Sequence, residues 1–108
     1  MKLVRDKYID IIPKEELDIT PKDDASKLDL ILDKLKEEAL EFIESVQRDP
    51  EELADLMEVV VAWGEMNGHS FDTINHLRKE KSKKLGSFTN FVVLKDKPEP
   101  DKKSKAKK

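Results

Sequence analysis

The sequence predicts an all-α fold, a compact helical bundle in which an antiparallel helix hairpin packs with a third helix. Three observations support this prediction: apolar residues recur at helical spacing, turn residues separate the periodic segments, and the connections between these segments are short. The two ends of the domain are expected to be short extended segments. Residues 1–12 are predicted to be a short extended or irregular segment with alternating apolar positions, and residues 88–94 favour a short strand or an extended strap.

The first helix is predicted over residues 26–48, because apolar residues recur there at intervals of three and four. The members of this stripe are Leu28, Ile31, Leu32, Leu35, Ala39, Phe42, Ile43 and Val46. A second helix begins at Asp49-Pro50, where Asp49 can act as the N-cap, Pro50 suits the first helical position and Glu52 is placed to close a capping box. The short connection predicts that the two helices pack antiparallel.

Turn residues mark the rest of the chain. Asn67-Gly68 is typical of a helix C-terminus, and Ser70 is expected to cap a third helix that Gly86 ends. These segments predict one all-α domain over residues 1–94. From residue 95 to residue 108 proline and lysine dominate, and such a segment cannot bury a core. Residues 95–108 are therefore predicted to be a disordered, lysine-rich tail.

The composition restricts the class of protein. Charged residues make up 42% of the 108 residues, against about 25% in an average soluble domain. There is no cysteine, which excludes disulfides and thiolate metal sites. No segment approaches the roughly 20 apolar residues that span a bilayer, so no membrane is expected as a partner and the expected location is the cytoplasm.

The small size of the predicted core indicates an oligomer. A folded part of roughly 90 residues is near the lower limit for a stable single core, so a homodimer or homotetramer is expected. Leu30 and Leu40 project away from the main stripe of the first helix and predict a second buried surface.

The net charge of −3 is unevenly distributed. Residues 95–108 hold seven lysines against three acidic residues, so the tail carries about +4 and the body about −7. The tail has no aromatic residue and no arginine, which argues against specific nucleic-acid recognition. The acidic body favours a cation as its partner.

The carboxylates that would bind this cation lie on the two long helices. Glu37-Glu38-Ala-Leu-Glu41 and Glu52-Leu-Ala-Asp55 each place acidic residues three apart, on one helix surface. On a helical wheel Glu38 and Glu41 follow one edge of the apolar stripe, whereas Glu37 is assigned to the far side. An antiparallel hairpin can bring Glu38, Glu41, Glu52 and Asp55 into one partly buried groove.

Four carboxylates at close range repel each other unless a cation lies between them. Mg²⁺, with Mn²⁺ as a substitute, prefers such oxygen ligands. The two histidines, His69 and His76, lie elsewhere, which argues against zinc and against a di-iron bundle. The alternative interpretation remains open at this point: acidic pairs on a solvated face, with Glu52 serving only as a helix cap.

The ordered blocks around these carboxylates resemble a known family. Glu37-Glu38-x-x-Glu41 followed by Glu52-x-x-Asp55 resembles the signature of the all-α NTP pyrophosphohydrolases, which include MazG-like proteins, dimeric dUTPases and phosphoribosyl-ATP pyrophosphohydrolase. Segments 2–7, 34–39, 51–59 and 83–88 look like the short phosphoribosyl-ATP pyrophosphohydrolase-like branch. Only ten residues separate Glu41 from Glu52, a tighter link than in typical MazG proteins.

The resemblance implies roles for the acidic residues. Glu38, Glu41, Glu52 and Asp55 would be metal ligands. Glu37 and Glu38 would be catalytic, with Glu37 orienting or deprotonating water. Glu58 is a weaker candidate, an outer ligand at most.

Basic residues are expected to meet the phosphates of the substrate. Lys81 and Lys84 match family positions that carry Lys or Arg, although lysines near a helix C-terminus also complement the helix dipole. Arg5 and Lys7 belong to the N-terminal block of the resemblance and are further candidates for phosphate binding.

The predicted activity is Mg²⁺-dependent hydrolysis of a nucleoside triphosphate to a monophosphate and pyrophosphate, in a role such as nucleotide-pool sanitation. Two alternatives stay open: a phosphoribosyl-ATP pyrophosphohydrolase, and a non-catalytic helical oligomerisation module of the same fold. The presence of all five motif carboxylates favours an enzyme. The three glycines are scattered and form no Gly-rich phosphate cradle, which favours attack at the α-phosphorus.

Overall fold

The computed structural model describes residues 2–95 and contains three α-helices, α1 (Asp24–Glu44), α2 (Pro50–Met66) and α3 (Phe71–Leu85). Helix α1 packs against α2, and α2 packs against α3. The described residues contain no strand, so the all-α class is confirmed. The predicted lysine-rich tail lies, apart from its first residue, outside the described residues.

Capping chemistry sets the ends of α1. The helix begins two residues before the predicted start, because the Asp23 carboxylate accepts a hydrogen bond from the backbone N–H of Ser26 at 2.8 Å. It ends at Glu44, short of the predicted residue 48. Beyond it Arg48 has a φ of 47°, its backbone N–H donates to the Ser45 hydroxyl, and its guanidinium donates to the Ile43 carbonyl. These bonds form a tight turn before α2.

Helix α2 begins as predicted, with Pro50 at its start and the Asp49 carboxylate accepting a 2.8 Å hydrogen bond from the Glu51 backbone N–H. The predicted capping box is only half formed: the expected hydrogen bond from the Asp49 backbone N–H to the Glu52 side chain is missing. The Oε1 atom of Glu52 is buried and has no hydrogen-bond partner among the described residues, so it does not reach back to the N-cap. Asn67 ends the helix, as predicted, and its side-chain amide donates to the Trp63 carbonyl.

Helix α3 has a side-chain cap at its N-terminus and a glycine at its C-terminus. Ser70 caps it by accepting a hydrogen bond from the Thr73 backbone N–H, and Gly86 ends it with a φ of 84°; both were predicted. The first turns of α3 approach α2 at Gly64, where a Cβ atom would collide with the His69 carbonyl oxygen and touch Ile74. Gly64 thus permits the close crossing of the two helices.

The terminal segments differ from the prediction of extended chain. Two short 3₁₀-helices, Asp6–Asp10 and Lys14–Glu16, occupy the region before α1. Residues 88–94 form an irregular segment in which the five large apolar side chains are each more than 80% exposed. A strand needs a pairing partner, and the described part of the chain offers none.

The apolar core is small. Among the described residues only two large apolar side chains are buried, Ile31 (4% exposed) and Val59 (8%). The predicted hairpin therefore covers one edge of the α1 stripe, and the middle of that stripe stays open. No helix within residues 2–95 has the length and apolar character required to cross a membrane.

Candidate metal centre

Three carboxylates converge in the C-terminal half of α1. Glu37, Glu38 and Glu41 each place a carboxylate oxygen within 4.8 Å of the others. Spacings of three and four residues bring side chains together on a helix, which is the local reason for this cluster. Glu38 is only 8% exposed, Glu37 is half-buried and Glu41 is exposed. The cluster therefore runs from the helix interface to solvent.

Two lysines partly neutralise this cluster. The Lys34 ammonium lies 3.2 Å from Glu38 and 3.4 Å from Glu37, and the Lys34 side chain is only 15% exposed. Lys2 reaches Glu37 from the N-terminal segment at 3.3 Å. Sequence reasoning missed both contacts. The spacing of Lys34, three and four residues before the two glutamates, could have revealed the first, whereas the Lys2 contact spans 35 positions and has no local signal.

The pKa shifts show which charges are compensated. Burial disfavours the charges of Lys34 and Glu37, but their ion pairs outweigh it, so the pKa of Lys34 is raised and the pKa of Glu37 is lowered. The charge of Glu38 is the largest cause that raises the pKa of Glu41, with slight burial and the charge of Glu37 adding to it. Glu41 is thus the carboxylate of the cluster that lacks sufficient positive charge.

The position of Glu37 corrects the sequence analysis, which assigned it to the far side of α1. Its wheel angle of about 200° equals about −160°, only some 40° from Glu41. The structure accordingly groups Glu37 with Glu38 and Glu41. Glu37 therefore lies on the same surface of α1 as Glu38 and Glu41.

The two carboxylates predicted on α2 lie outside this close cluster of three. Asp55 is half-buried and accepts a 2.7 Å hydrogen bond from the Arg5 guanidinium. Glu52 is half-buried, and its Oε1 atom is shielded from solvent without a hydrogen-bond partner in the described residues. A buried carboxylate oxygen without a partner is energetically unfavourable, and it is an atom that a bound cation would satisfy.

The remaining predicted site residues lie on the surface. Lys7, Lys81, Lys84 and Glu58 are exposed, and none of them forms an ion pair within residues 2–95. Of the four predicted phosphate-binding residues, only Arg5 contacts a carboxylate of the predicted site. Trp63 stacks on His69 with ring centroids 6.0 Å apart.

The donor set fits a hard divalent cation. It offers carboxylate oxygens alone, one buried glutamate in the cluster, and a second buried oxygen at Glu52 that lacks a partner. Mg²⁺ and Mn²⁺ take such ligands, with water and substrate oxygens completing the shell. Glu37, Glu38 and Glu41 would supply ligands from α1, whereas the predicted α2 ligands Glu52 and Asp55 lie outside this group.

Comparison of the chain with protein-family models, with curated proteins and with solved structures gives no match.

Proposed function

We propose that this protein is a Mg²⁺-dependent nucleoside-triphosphate pyrophosphohydrolase that releases a nucleoside monophosphate and pyrophosphate. The observation that carries the proposal is that Glu37, Glu38 and Glu41 place carboxylate oxygens within 4.8 Å of one another. One of the three, Glu38, is buried. Like charges this close repel one another, and the two lysines present leave Glu41 undercompensated. The sequence resemblance to the all-α NTP pyrophosphohydrolases supplies the reaction class.

The protein side chains have two roles in this proposal: some bind the metal ion and one positions the attacking water. Bound Mg²⁺ would supply positive charge to the phosphate oxygens of the substrate. Glu38, held in place by Lys34, has the fixed position that a ligand needs. Glu37, with its lowered pKa, is ionised at neutral pH, so its carboxylate can orient a water molecule.

The substrate is proposed to be a nucleoside triphosphate, and phosphoribosyl-ATP is the alternative of the same class. In both, water attacks a phosphorus and pyrophosphate leaves, and a bound Mg²⁺ would supply positive charge to the departing oxygens. Attack at the α-phosphorus places the oxygen of water in the monophosphate. Of the four predicted phosphate-binding residues, Arg5 is the best placed, because its guanidinium already reaches Asp55.

A hydrolysis screen in ¹⁸O-water tests the proposal. Nucleoside triphosphates and phosphoribosyl-ATP are incubated with the protein and Mg²⁺, and pyrophosphate is measured separately from phosphate. We expect pyrophosphate without a diphosphate intermediate, and ¹⁸O only in the monophosphate. Label in the pyrophosphate would indicate attack at the β-phosphorus, and release of free phosphate would refute the proposed class.

Variants assign the activity to the cluster. Glu41→Gln and Asp55→Asn should each lose nearly all hydrolysis while retaining the helical circular-dichroism spectrum. Glu44→Gln is a matched control, because Glu44 is an exposed glutamate on the same helix outside the cluster. Full activity of both site variants would refute the site. Absence of any hydrolysis by the folded wild-type protein would favour a non-catalytic helical module.

A further inference from the structure

Helix α1 presents an uncovered apolar seam. Leu28, Leu32 and Leu35 are spaced four and three residues apart, and each remains between 37% and 45% exposed. Ala39 and Phe42, both half-buried, continue the same alternation of intervals. This alternation is the heptad pattern by which one helix packs along another. The adjacent α2 covers Ile31 at one edge of the seam and leaves the rest open.

Helix α2 extends the same open surface. Ile31 and Val59 form the floor of a groove of about 340 Å³ between the helices. Its walls are the side chains Leu32, Leu35, Val60 and Trp63. Leu53 and Met57, both about half exposed, lie further along the α2 side. Together, the groove residues, Leu28, Leu53 and Met57 expose apolar surface on the order of 500 Å². A standard interface buries about 800 Å² per partner, of which somewhat more than half is apolar, so the two areas are similar.

The charges beside the seam fit a second copy of the chain. Asp29 and Lys36 are seven residues apart, on the edge of the seam opposite Glu38, and both are exposed. Neither forms an ion pair within the described chain. If two α1 helices cross antiparallel about a two-fold axis between these positions, each Asp29 faces Lys36 of the other copy. A single chain thereby carries both halves of a self-complementary interface.

We infer that the α1–α2 groove is the interface of a two-fold homodimer, in which the leucine seams of two α1 helices pack antiparallel and Asp29 pairs with Lys36 across the axis. This surface differs from the one predicted from Leu30 and Leu40. Leu30 is half-buried within the chain, and Leu40 lies one turn from Lys36 and Ile43 on α1, about 80° beyond the nearest leucine of the seam. The inference does not depend on the proposed catalytic activity, and its test measures only mass and folding.

Light scattering on the full chain at micromolar concentration tests the inference. The wild-type protein should have a mass of roughly 25 kDa, twice the chain mass of 12.5 kDa. Leu32→Lys should yield the monomer mass. Leu77→Lys is the control, because Leu77 is 56% exposed on α3 and lies outside the seam, and it should remain dimeric. Circular dichroism verifies that both variants stay helical.

A charge exchange tests the register without disturbing the apolar seam. Lys36→Asp places like charges at both ends of the interface and should raise the dimer dissociation constant roughly 10-fold. The combination of Asp29→Lys with Lys36→Asp restores opposite charges and should return the constant to near its wild-type value. An equally weak double variant would overturn the antiparallel pairing.

Other occupants of the groove give different results. If residues 88–94 of the same chain covered it, the wild-type protein would be a monomer, and truncation after Ser87 would expose the groove. A monomer mass for the wild-type chain throughout the micromolar range overturns the inference. A dimer mass retained by a helical Leu32→Lys variant overturns it equally, because the dimer would then use another surface.

Discussion

Replacing Glu41 with Gln should stabilise the metal-free protein, whereas replacing Glu38 with Gln should destabilise it. The two residues belong to one cluster but differ in their surroundings. Glu41 is exposed and lies beside two like charges, Glu38 and Glu37. Glu38 is buried and lies 3.2 Å from the ammonium of Lys34. If relief of repulsion were the only effect, both variants would be stabilised. Stabilisation by Glu41→Gln together with destabilisation by Glu38→Gln would therefore show that the Lys34 contact of Glu38 matters.

The magnitudes follow from these contacts. A like-charge pair three or four residues apart on an exposed helix surface destabilises by about 0.2–0.5 kcal/mol, and solvent screens it. Glu41→Gln relieves two such pairs and should raise the free energy of unfolding by about 0.5 kcal/mol, or about 3 °C in Tm. Glu38→Gln leaves the partly buried Lys34 with Glu37 as its remaining carboxylate, and should lower the free energy of unfolding by about 1–2 kcal/mol.

The pH dependence supplies a second signature. Because the pKa of Glu41 is raised in the folded protein, this carboxyl contributes stability when protonated and loses that contribution as pH rises through its folded pKa. The advantage of Glu41→Gln over the wild type should therefore be absent in acid, appear as pH rises above the usual glutamate range, and stay constant near neutrality.

Urea unfolding followed by circular dichroism, in EDTA and at several pH values, measures both effects. Glu15→Gln is the control, because Glu15 is exposed, lies outside the three α-helices and forms no ion pair within the described chain. Destabilisation by Glu41→Gln at pH 7 would refute the reasoning, since Glu41 would then be engaged in a favourable contact. Stabilisation by Glu38→Gln would show that its ion pair does not offset the burial of the charge.

Three further predictions rest on single contacts. Arg5→Gln should tighten Mn²⁺ binding by roughly threefold in calorimetry, because it frees Asp55 from a competing cation; the exposed Lys7→Gln is the control, and equal tightening in both would indicate a general charge effect. Gly64→Ala should lower the free energy of unfolding by about 1–3 kcal/mol, because its Cβ would collide with the His69 carbonyl; an unchanged Tm would mean that α3 shifts freely. Ser70→Ala should lose about 1 kcal/mol through its cap, measured by urea unfolding, and a neutral result would contradict that role.

Local sequence signals predicted the helices well, because periodicity and caps act within a few residues. Asp49-Pro50, Asn67, Ser70 and Gly86 mark ends that the structure confirms. The ends of α1 were less accurate, since apolar periodicity continues through Val46 while the backbone turns after Glu44. There the bonds of Arg48 to the preceding residues decide the boundary, and no helical pattern encodes them.

The candidate site was predictable where it lies on one helix. The grouping of Glu38 with Glu41 follows from spacing, and correct use of the wheel angle would have added Glu37. The contacts of Lys2 and Arg5 were not predictable, because they join residues 35 and 50 positions apart. Burial was overestimated for the apolar stripe, since periodicity identifies an apolar face without identifying what covers it.

The N-terminal segment joins the acidic residues of the two helices into one electrostatic unit. Lys2 contacts Glu37 on α1, and Arg5, only three residues later, contacts Asp55 on α2. A divalent cation bound by these carboxylates would weaken both contacts, because the same oxygens cannot be fully shared. By thermodynamic linkage, the factor by which the cation weakens docking of the N-terminal segment equals the factor by which docking weakens binding of the cation. Phosphate oxygens of a substrate would give the released Lys2 and Arg5 new partners, so substrate and metal should bind cooperatively at the proposed site.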